Sequence, residues 1–226
     1  MQSVIKQENF VEYLVEMFPK AKCELEFSSN FELLVAVILS AQCTDKRVNM
    51  VTKELFKTHN TPEDFAKISQ SELEQKIKSC GFYHNKSKFI KQCAESIVKD
   101  YNGVVPNNFD ELCKLSGVGR KTANVVCAVA FNENRIAVDT HVLRVSNRLG
   151  FTKSKNPDIC ERDLVKLFKV NLDKLHYRMV LFGRYHCKAI KPECEKCRLQ
   201  EFCKYYKKNI KKFKLFYKFD KTIKLF

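Results

Sequence analysis

The sequence predicts an all-α protein, on three observations. The six glycines and five prolines sit almost wholly where helices would begin or end. Apolar residues recur at helical spacing in several segments. No stretch alternates with period two over the length of a strand. About ten helices fit the 226 residues, which suffice for one domain or two modest ones, each with a sizeable core.

The elements follow in chain order. Met1 to Phe18 mixes Lys6, Glu8, Glu12 and Glu16 into its apolar positions, so it is no secretory signal. Phe31, Leu34, Val35, Ile38 and Leu39 form a helical stripe. Thr61-Pro62-Glu63-Asp64 supplies a capping threonine, proline at the first helical position and acids in the first turn. Ser71-x-x-Glu74 reads as a capping box. Gly81, Gly103 and Gly150 each close a helical segment. Phe89, Cys93, Ile97 and Val98 give another stripe, Phe109 to Lys114 a short helix, and Thr122 to Phe131 a longer one. After the apolar run Ile136-Ala137-Val138, Asp139 would cap a helix running through Leu143 to Leu149.

Composition narrows the class. Hydrophobic residues make up 45% and charged residues 30%, which excludes disorder along the whole length. No apolar run approaches the roughly 18 residues of a membrane span, so no membrane association is expected and the protein is read as cytoplasmic. Forty-one Lys and Arg against 26 Asp and Glu give a net charge of +15. Such an excess suits nucleic acid first and an anionic membrane surface second. The 32 Lys against 9 Arg are also compatible with coding bias alone. Residues 204–226 hold nine Lys and one Asp, hence +8 of that charge.

Eleven cysteines without a secretory signal argue against a disulfide framework. Seven are scattered singly and read as small buried hydrophobes. Four cluster as Cys187-x6-Cys194-x2-Cys197-x5-Cys203. Four soft ligands suit zinc or an iron–sulfur cluster. Structural zinc usually takes two close pairs, and only one is present.

The stretch Leu115-Ser116-Gly117-Val118-Gly119-Arg120-Lys121-Thr122 lies between two helical patterns. Two glycines around one apolar residue allow a tight turn whose N–H groups face outward. At the start of the following helix such donors bind a phosphate oxygen. Taken alone, the turn is equally compatible with a structural connection. Lys121 falls in the first helical turn, where the positive end of the dipole disfavours an ammonium. Partial burial would add to this, and a neutral amine is what nucleophilic attack requires. The plainer role is contact with a phosphate. Eighteen residues on, Asp139 ends the apolar run. Besides capping, its carboxylate could stabilise developing positive charge or shuttle a proton.

These strings, LSGVGRKTANVV followed by VDTHVLRVSNRLG, resemble the endonuclease III family of helix-hairpin-helix DNA glycosylases. Phe27-Ser28-Ser29-x-Phe31-Glu32-Leu33-Leu34, Leu39-Ser40-Ala41-Gln42-x-Thr44-Asp45 and Gly81-Phe82-Tyr83 extend the resemblance over roughly residues 1–203. It implies a two-lobed fold. A six-helix barrel over 23–133 would carry the hairpin, residues 1–22 and 134–203 would form an iron–sulfur cluster domain, and 204–226 would be a basic aromatic tail. Lys121 and Asp139 would lie in the cleft between the lobes.

The resemblance further implies a bifunctional glycosylase and AP lyase acting on duplex DNA with oxidised pyrimidines or abasic sites, as a monomer at the nucleoid. Lys121 would attack C1′, displace the base and form a Schiff base, and β-elimination would cut on the 3′ side. Asp139 would stabilise the oxocarbenium-like transition state. Gln42, Phe82 and His141 match residues that fill the gap left by the extruded nucleotide. Taken singly, Phe82 reads as a core aromatic and His141 as a satisfied helix-start histidine. Gly117, Val118 and Gly119 would hold the DNA backbone.

The cysteine spacing matches the family's [4Fe–4S] loop, which would present Lys188, Lys191, Lys196 and Arg198 to phosphates. Ile190 and Glu193 weaken that loop's basic character. Three departures stand out. Phe82 stands where leucine is usual. Ser116 replaces a proline, which leaves the hairpin less preorganised. The tail extends past the usual end, and Ile210, Phe213 and Tyr217 could make a basic amphipathic helix for DNA, for an anionic membrane or for neither. Two rivals are a mismatched-adenine glycosylase, for which the tail is too short to supply the extra domain, and a non-catalytic cluster-bearing DNA-binding or redox-sensing protein, which would need neither Lys121 nor Asp139.

Overall fold

A computed structural model describes the backbone of residues 2–209 and the side chains from residue 6. The described residues hold α-helices α1 to α11, a further helical segment over 204–209, and no strand. They form two compact units: residues 23–137, and residues up to 22 together with those from 138 onward. Ile210, Phe213 and Tyr217, where a basic amphipathic helix is expected, lie outside the described residues.

The unit of residues 23–137 is built on α2, Asn30–Ser40, whose sequence NFELLVAVILS is apolar on nearly every face. A helix of that kind must be surrounded, and Phe31 to Leu39 are all buried. Its start is fixed reciprocally: Ser29 Oγ accepts the Glu32 N–H at 3.1 Å, and Glu32 Oε2 accepts the Ser28 N–H at 2.5 Å. Around it pack α3 (Asp45–Leu55), α6 (Tyr83–Asp100) and α8 (Arg120–Ala130). The short α4 (Pro62–Lys67) lies on α6, and α7 (Phe109–Lys114) on α8. Thr61 caps α4 as expected, and Asp64 completes a capping box with it.

The cap of α5 (Gln70–Ile77) differs from expectation. Ser69, not Ser71, accepts the capping bond, from the Glu72 N–H at 3.2 Å. Glu74 is thereby freed to accept from Gln70 and Ser87 and to pair with His84. Residues 134–137, expected with the other unit, stay here. The Arg135 guanidinium lies 4.5 Å over the Phe109 ring and donates to Asn124 Oδ1 at 3.4 Å.

The second unit joins α1 (Gln2–Met17) to α9 (Thr140–Leu149), α10 (Pro157–Phe168) and α11 (Leu172–Leu181). A π-helical turn, Phe182–His186, continues α11 towards Cys187. Phe10 is the hub, 1% exposed. Its ring meets Phe151, Phe168 and Phe182 at centroid distances of 5.0, 6.0 and 6.3 Å. No helix among the described residues is long and apolar enough to cross a membrane.

Phe10→Ala removes this shared contact and is expected to destabilise the fold by about 3–5 kcal/mol, read as a lower midpoint in urea unfolding.

Candidate functional site

The turn between α7 and α8 is shaped by Gly117 and Val118. Gly117 adopts φ +77°, and a Cβ there would lie 2.8 Å from Phe89 Cβ on α6, so glycine is required on both counts. Val118 is buried, and its N–H bonds the Leu115 carbonyl at 3.1 Å. Val118 thus anchors the turn from inside. This corrects the expectation that all the N–H groups of the Gly-Val-Gly turn face outward. Gly119, with φ −85°, is the N-cap of α8, and no side chain caps that helix. A Cβ at Gly119 would meet nothing within 4 Å. The start of α8 is open on that side.

Ser116 sits beside this turn. Its hydroxyl donates to Gln92 Oε1 on α6 at 2.8 Å. With Phe89 against Gly117, two contacts on one helix hold the hairpin, and the serine supplies a restraint where a proline would have stiffened the chain.

Lys121 is the second residue of α8 and is exposed. The partial burial entertained for it is absent, because Val118 and Ala123 take the inward positions on either side. The lysine therefore faces solvent at the open helix start.

Gln42 and Phe82 belong to the same unit, in the α2–α3 and α5–α6 connections. Both are exposed, and Phe82 at 64% is not the core residue its type suggests. Both hold left-handed backbone, φ 54° and 49°. Among the described residues only four that are neither glycine nor asparagine do so: Gln42, Phe82, Lys169 and Lys191. Such conformations cost about 1–3 kcal/mol each and gather at functional positions. Three of the four are predicted DNA contacts. This signal comes from the backbone and cannot be read in the sequence.

Asp139 and His141 begin α9 in the other unit. Asp139 Oδ1 accepts the Val142 N–H at 2.8 Å, the expected cap, and this bond orients the half-buried carboxyl. His141 Nδ1 lies 3.1 Å from Arg144 Nη2, which makes it an acceptor and assigns the ring proton to Nε2. His141 is thus a satisfied helix-start histidine by geometry.

Nothing in the local sequence pattern marks what Arg144 and Arg148 do. Spaced four apart on α9, they face the same way. Arg144 donates to the Gly183 and Cys187 carbonyls at 2.6 and 3.2 Å. Arg148 donates to the Cys187 carbonyl and Sγ, and to the Lys188 and Ala189 carbonyls, at 2.6 to 3.3 Å. Its guanidinium also covers the Tyr205 ring at 4.2 Å. Two arginines thus dock the start of the cysteine loop on the helix that Asp139 caps.

All four loop cysteines line one cavity, with Leu149 and Phe182 among its apolar walls. Burial, and then the three neighbouring thiols, push the Cys194 thiol up to about 12. Burial pushes Cys197 up to about 11. Four thiolates so close together need a cationic partner. His186 lines the same cavity, and its Nε2 is buried without a hydrogen-bond partner. A bound group that accepts a hydrogen bond would satisfy it. The donor set fits a soft metal cofactor.

The basic face of the loop is smaller than its sequence suggests. Lys188 pairs with Glu193 at 2.7 Å and Arg198 with Glu16. Lys191 and Lys196 remain exposed, with no ion pair among the described residues.

Comparison with known proteins adds the following. Residues 35–170 match the family model of the HhH-GPD superfamily base excision DNA repair protein. The chain is 50% identical to endonuclease III of Bacillus subtilis (strain 168) over 92% of this chain and 96% of that one. It is 47% identical to endonuclease III of Rickettsia prowazekii (strain Madrid E) over 83% and 89%. A solved structure of a trapped endonuclease III–DNA covalent intermediate matches with a TM-score of 0.85 at 49% identity, covering 91% of this chain and 98% of that chain. A thermostable thymine-DNA glycosylase matches with a TM-score of 0.78 at 26% identity, covering 90% and 97%.

The two hairpin glycines should respond differently to alanine. Gly117→Ala is expected to lose about 1–3 kcal/mol of stability through its left-handed backbone and its clash with Phe89. Gly119→Ala is expected to stay within about 0.5 kcal/mol of the parent. Paired urea melts measure both.

Proposed function

The chain belongs to the HhH-GPD superfamily of base excision DNA repair proteins, and from that premise we propose how its own residues carry out the reaction. It is a DNA glycosylase with AP lyase activity, of the endonuclease III kind. We take its substrates to be oxidised pyrimidines and abasic sites in duplex DNA, bound by a monomer and met at the nucleoid. The observation that carries the assignment of residues is Lys121, an exposed amine in the first turn of a helix with an open start.

Gly117, Gly119 and the first turn of α8 grip a phosphate through backbone N–H groups, without reading sequence. Val118 serves this grip as the buried anchor of the turn. The damaged nucleotide leaves the stack at a cost of a few kcal/mol. Gln42, Phe82 and His141 occupy the gap and recover part of that cost. DNA covering Lys121 then supplies the exclusion of water that the protein alone does not.

Lys121 Nζ attacks C1′, the C1′–N bond breaks, and the base departs with a proton. The amine nitrogen opens the sugar ring to a Schiff base. Loss of the C2′ proton expels the 3′ phosphate and cuts the strand. Asp139, its carboxyl oriented by the Val142 N–H, stabilises positive charge at the sugar and takes part in the proton transfers. A trapped covalent intermediate in the related endonuclease III supports this sequence of steps.

Cys187, Cys194, Cys197 and Cys203 would hold a [4Fe–4S] cluster. All four cysteines line one cavity, and four soft ligands suit such a cluster. The group, when bound, supplies rigidity to the loop that carries Lys191, since attack by an amine needs no metal.

Borohydride reduction on a duplex with one thymine glycol is expected to trap a covalent adduct with the parent protein and none with Lys121→Ala. Base release without an adduct would remove Lys121 from the nucleophile role. Asp139→Asn keeps an N-cap and should remain folded, while its single-turnover rate falls by roughly 10²- to 10⁴-fold.

A further inference from the structure

Lys86, on the first turn of α6, is 4% exposed, and nothing in the proposed reaction uses it. A buried ammonium is costly unless its protons are well placed. Here its Nζ donates to the Leu39 carbonyl at 2.8 Å and to the Cys80 carbonyl at 2.6 Å. Its backbone N–H bonds the Phe82 carbonyl at 3.1 Å.

Those acceptors belong to two separate connections. Leu39 lies in the last turn of α2, three residues before Gln42. Cys80 ends a short 3₁₀ turn, Lys78–Cys80, two residues before Phe82. The last carbonyls of a helix lack intrahelical partners, and each one in α2 is accounted for. Val37 accepts from Ser40 Oγ, Ile38 from the Ala41 N–H, Leu39 from Lys86 and Ser40 from the Cys43 N–H. Three of those bonds are local. The bond from Lys86 comes from 47 residues away and, alone of these four, reaches from the Phe82 connection to the Gln42 connection, beside a hydrogen bond between the Cys43 and Cys80 side chains. On the same side, the Cys43 and Cys80 thiols sit close to one another and to the ammonium.

We propose that Lys86 is a positioning residue for lesion recognition: its buried ammonium clamps the end of α2 to the carbonyl of Cys80 and so fixes Gln42 and Phe82 relative to each other. This rests on the reading of Gln42 and Phe82 as gap-filling residues. Their strained backbones need such a restraint, because a left-handed glutamine or phenylalanine relaxes unless its surroundings over-determine it. A single cation spanning both connections supplies that restraint at the point where the two chains leave the core. Gly117 and Gly119 lie in the α7–α8 turn, outside both clamped connections, so the phosphate grip serves as the control.

The test compares affinity for an undamaged duplex with affinity for the same duplex carrying a tetrahydrofuran abasic analogue. A 2-aminopurine opposite the analogue reports insertion into the stack. Lys86→Met should leave undamaged binding unchanged. Its affinity for the analogue should fall about ten- to a hundredfold, as loss of charged hydrogen bonds predicts, with less 2-aminopurine unstacking. Lys86→Arg, which keeps charge and donors, should restore part of the discrimination. If Lys86→Met does not fold, Lys86→Gln, uncharged but with an amide donor, takes its place in the same comparison. Folded Lys86 variants that discriminate as the parent does, or lose both affinities equally, would overturn the proposal. Gln42→Ala and Phe82→Ala separate the two levels: if neither alters discrimination, the gap-filling reading itself fails. If they alter it and the Lys86 variants do not, only the clamp fails.

Discussion

A helix with no polar face cannot lie on a surface, and that constraint organises the unit of residues 23–137. Every residue of α2 from Phe31 to Leu39 is buried, so α3, α6 and α8 must enclose it. Each of these three carries one of the proposed DNA-facing features at its start. Gln42 precedes α3, Phe82 is the N-cap residue of α6, and Lys121 lies in the first turn of α8. The apolar helix is far more than a core filler, because the helix starts proposed to face DNA are all registered against it.

The other unit solves a related problem with charge. Asp139 caps α9, and one and two turns further along Arg144 and Arg148 bind carbonyls of the cysteine loop. Each arginine satisfies several acceptors at once, which a planar guanidinium does and an ammonium does not. The end of α9 is also fixed, since Gly150 donates to the Ser146 and Asn147 carbonyls in a left-handed cap. A displacement of the loop would therefore be felt at the helix whose first turn orients Asp139.

What the sequence made legible was local. Capping residues, closing glycines and apolar stripes depend on neighbours a few positions away, and Thr61, Gly150 and the Phe109–Lys114 helix came out as expected. The cap of α5 lies two residues before the expected one, because Ser69 and Ser71 offer the same hydroxyl and the local pattern does not distinguish them. The exposure of Phe82, the burial of Lys86 and the loop contacts of Arg148 all depend on partners or surroundings distant in sequence. A lysine reads as surface whichever way it points, so nothing short of the fold could have singled out Lys86.

The hairpin shows how a departure from a family pattern can be compensated elsewhere. Proline before a glycine turn would reduce the freedom of the unfolded chain and set φ in advance. Serine does neither. Yet its hydroxyl reaches Gln92, three residues along α6 from the Phe89 ring that packs against Gly117. A restraint built into the chain has been exchanged for one that exists only after α6 has docked. The conformation of the folded turn is held in both cases. The difference lies in timing: with serine the turn proposed to bind phosphate becomes rigid as the tertiary structure forms, and its order depends on α6, the helix that also carries Phe82 and Lys86.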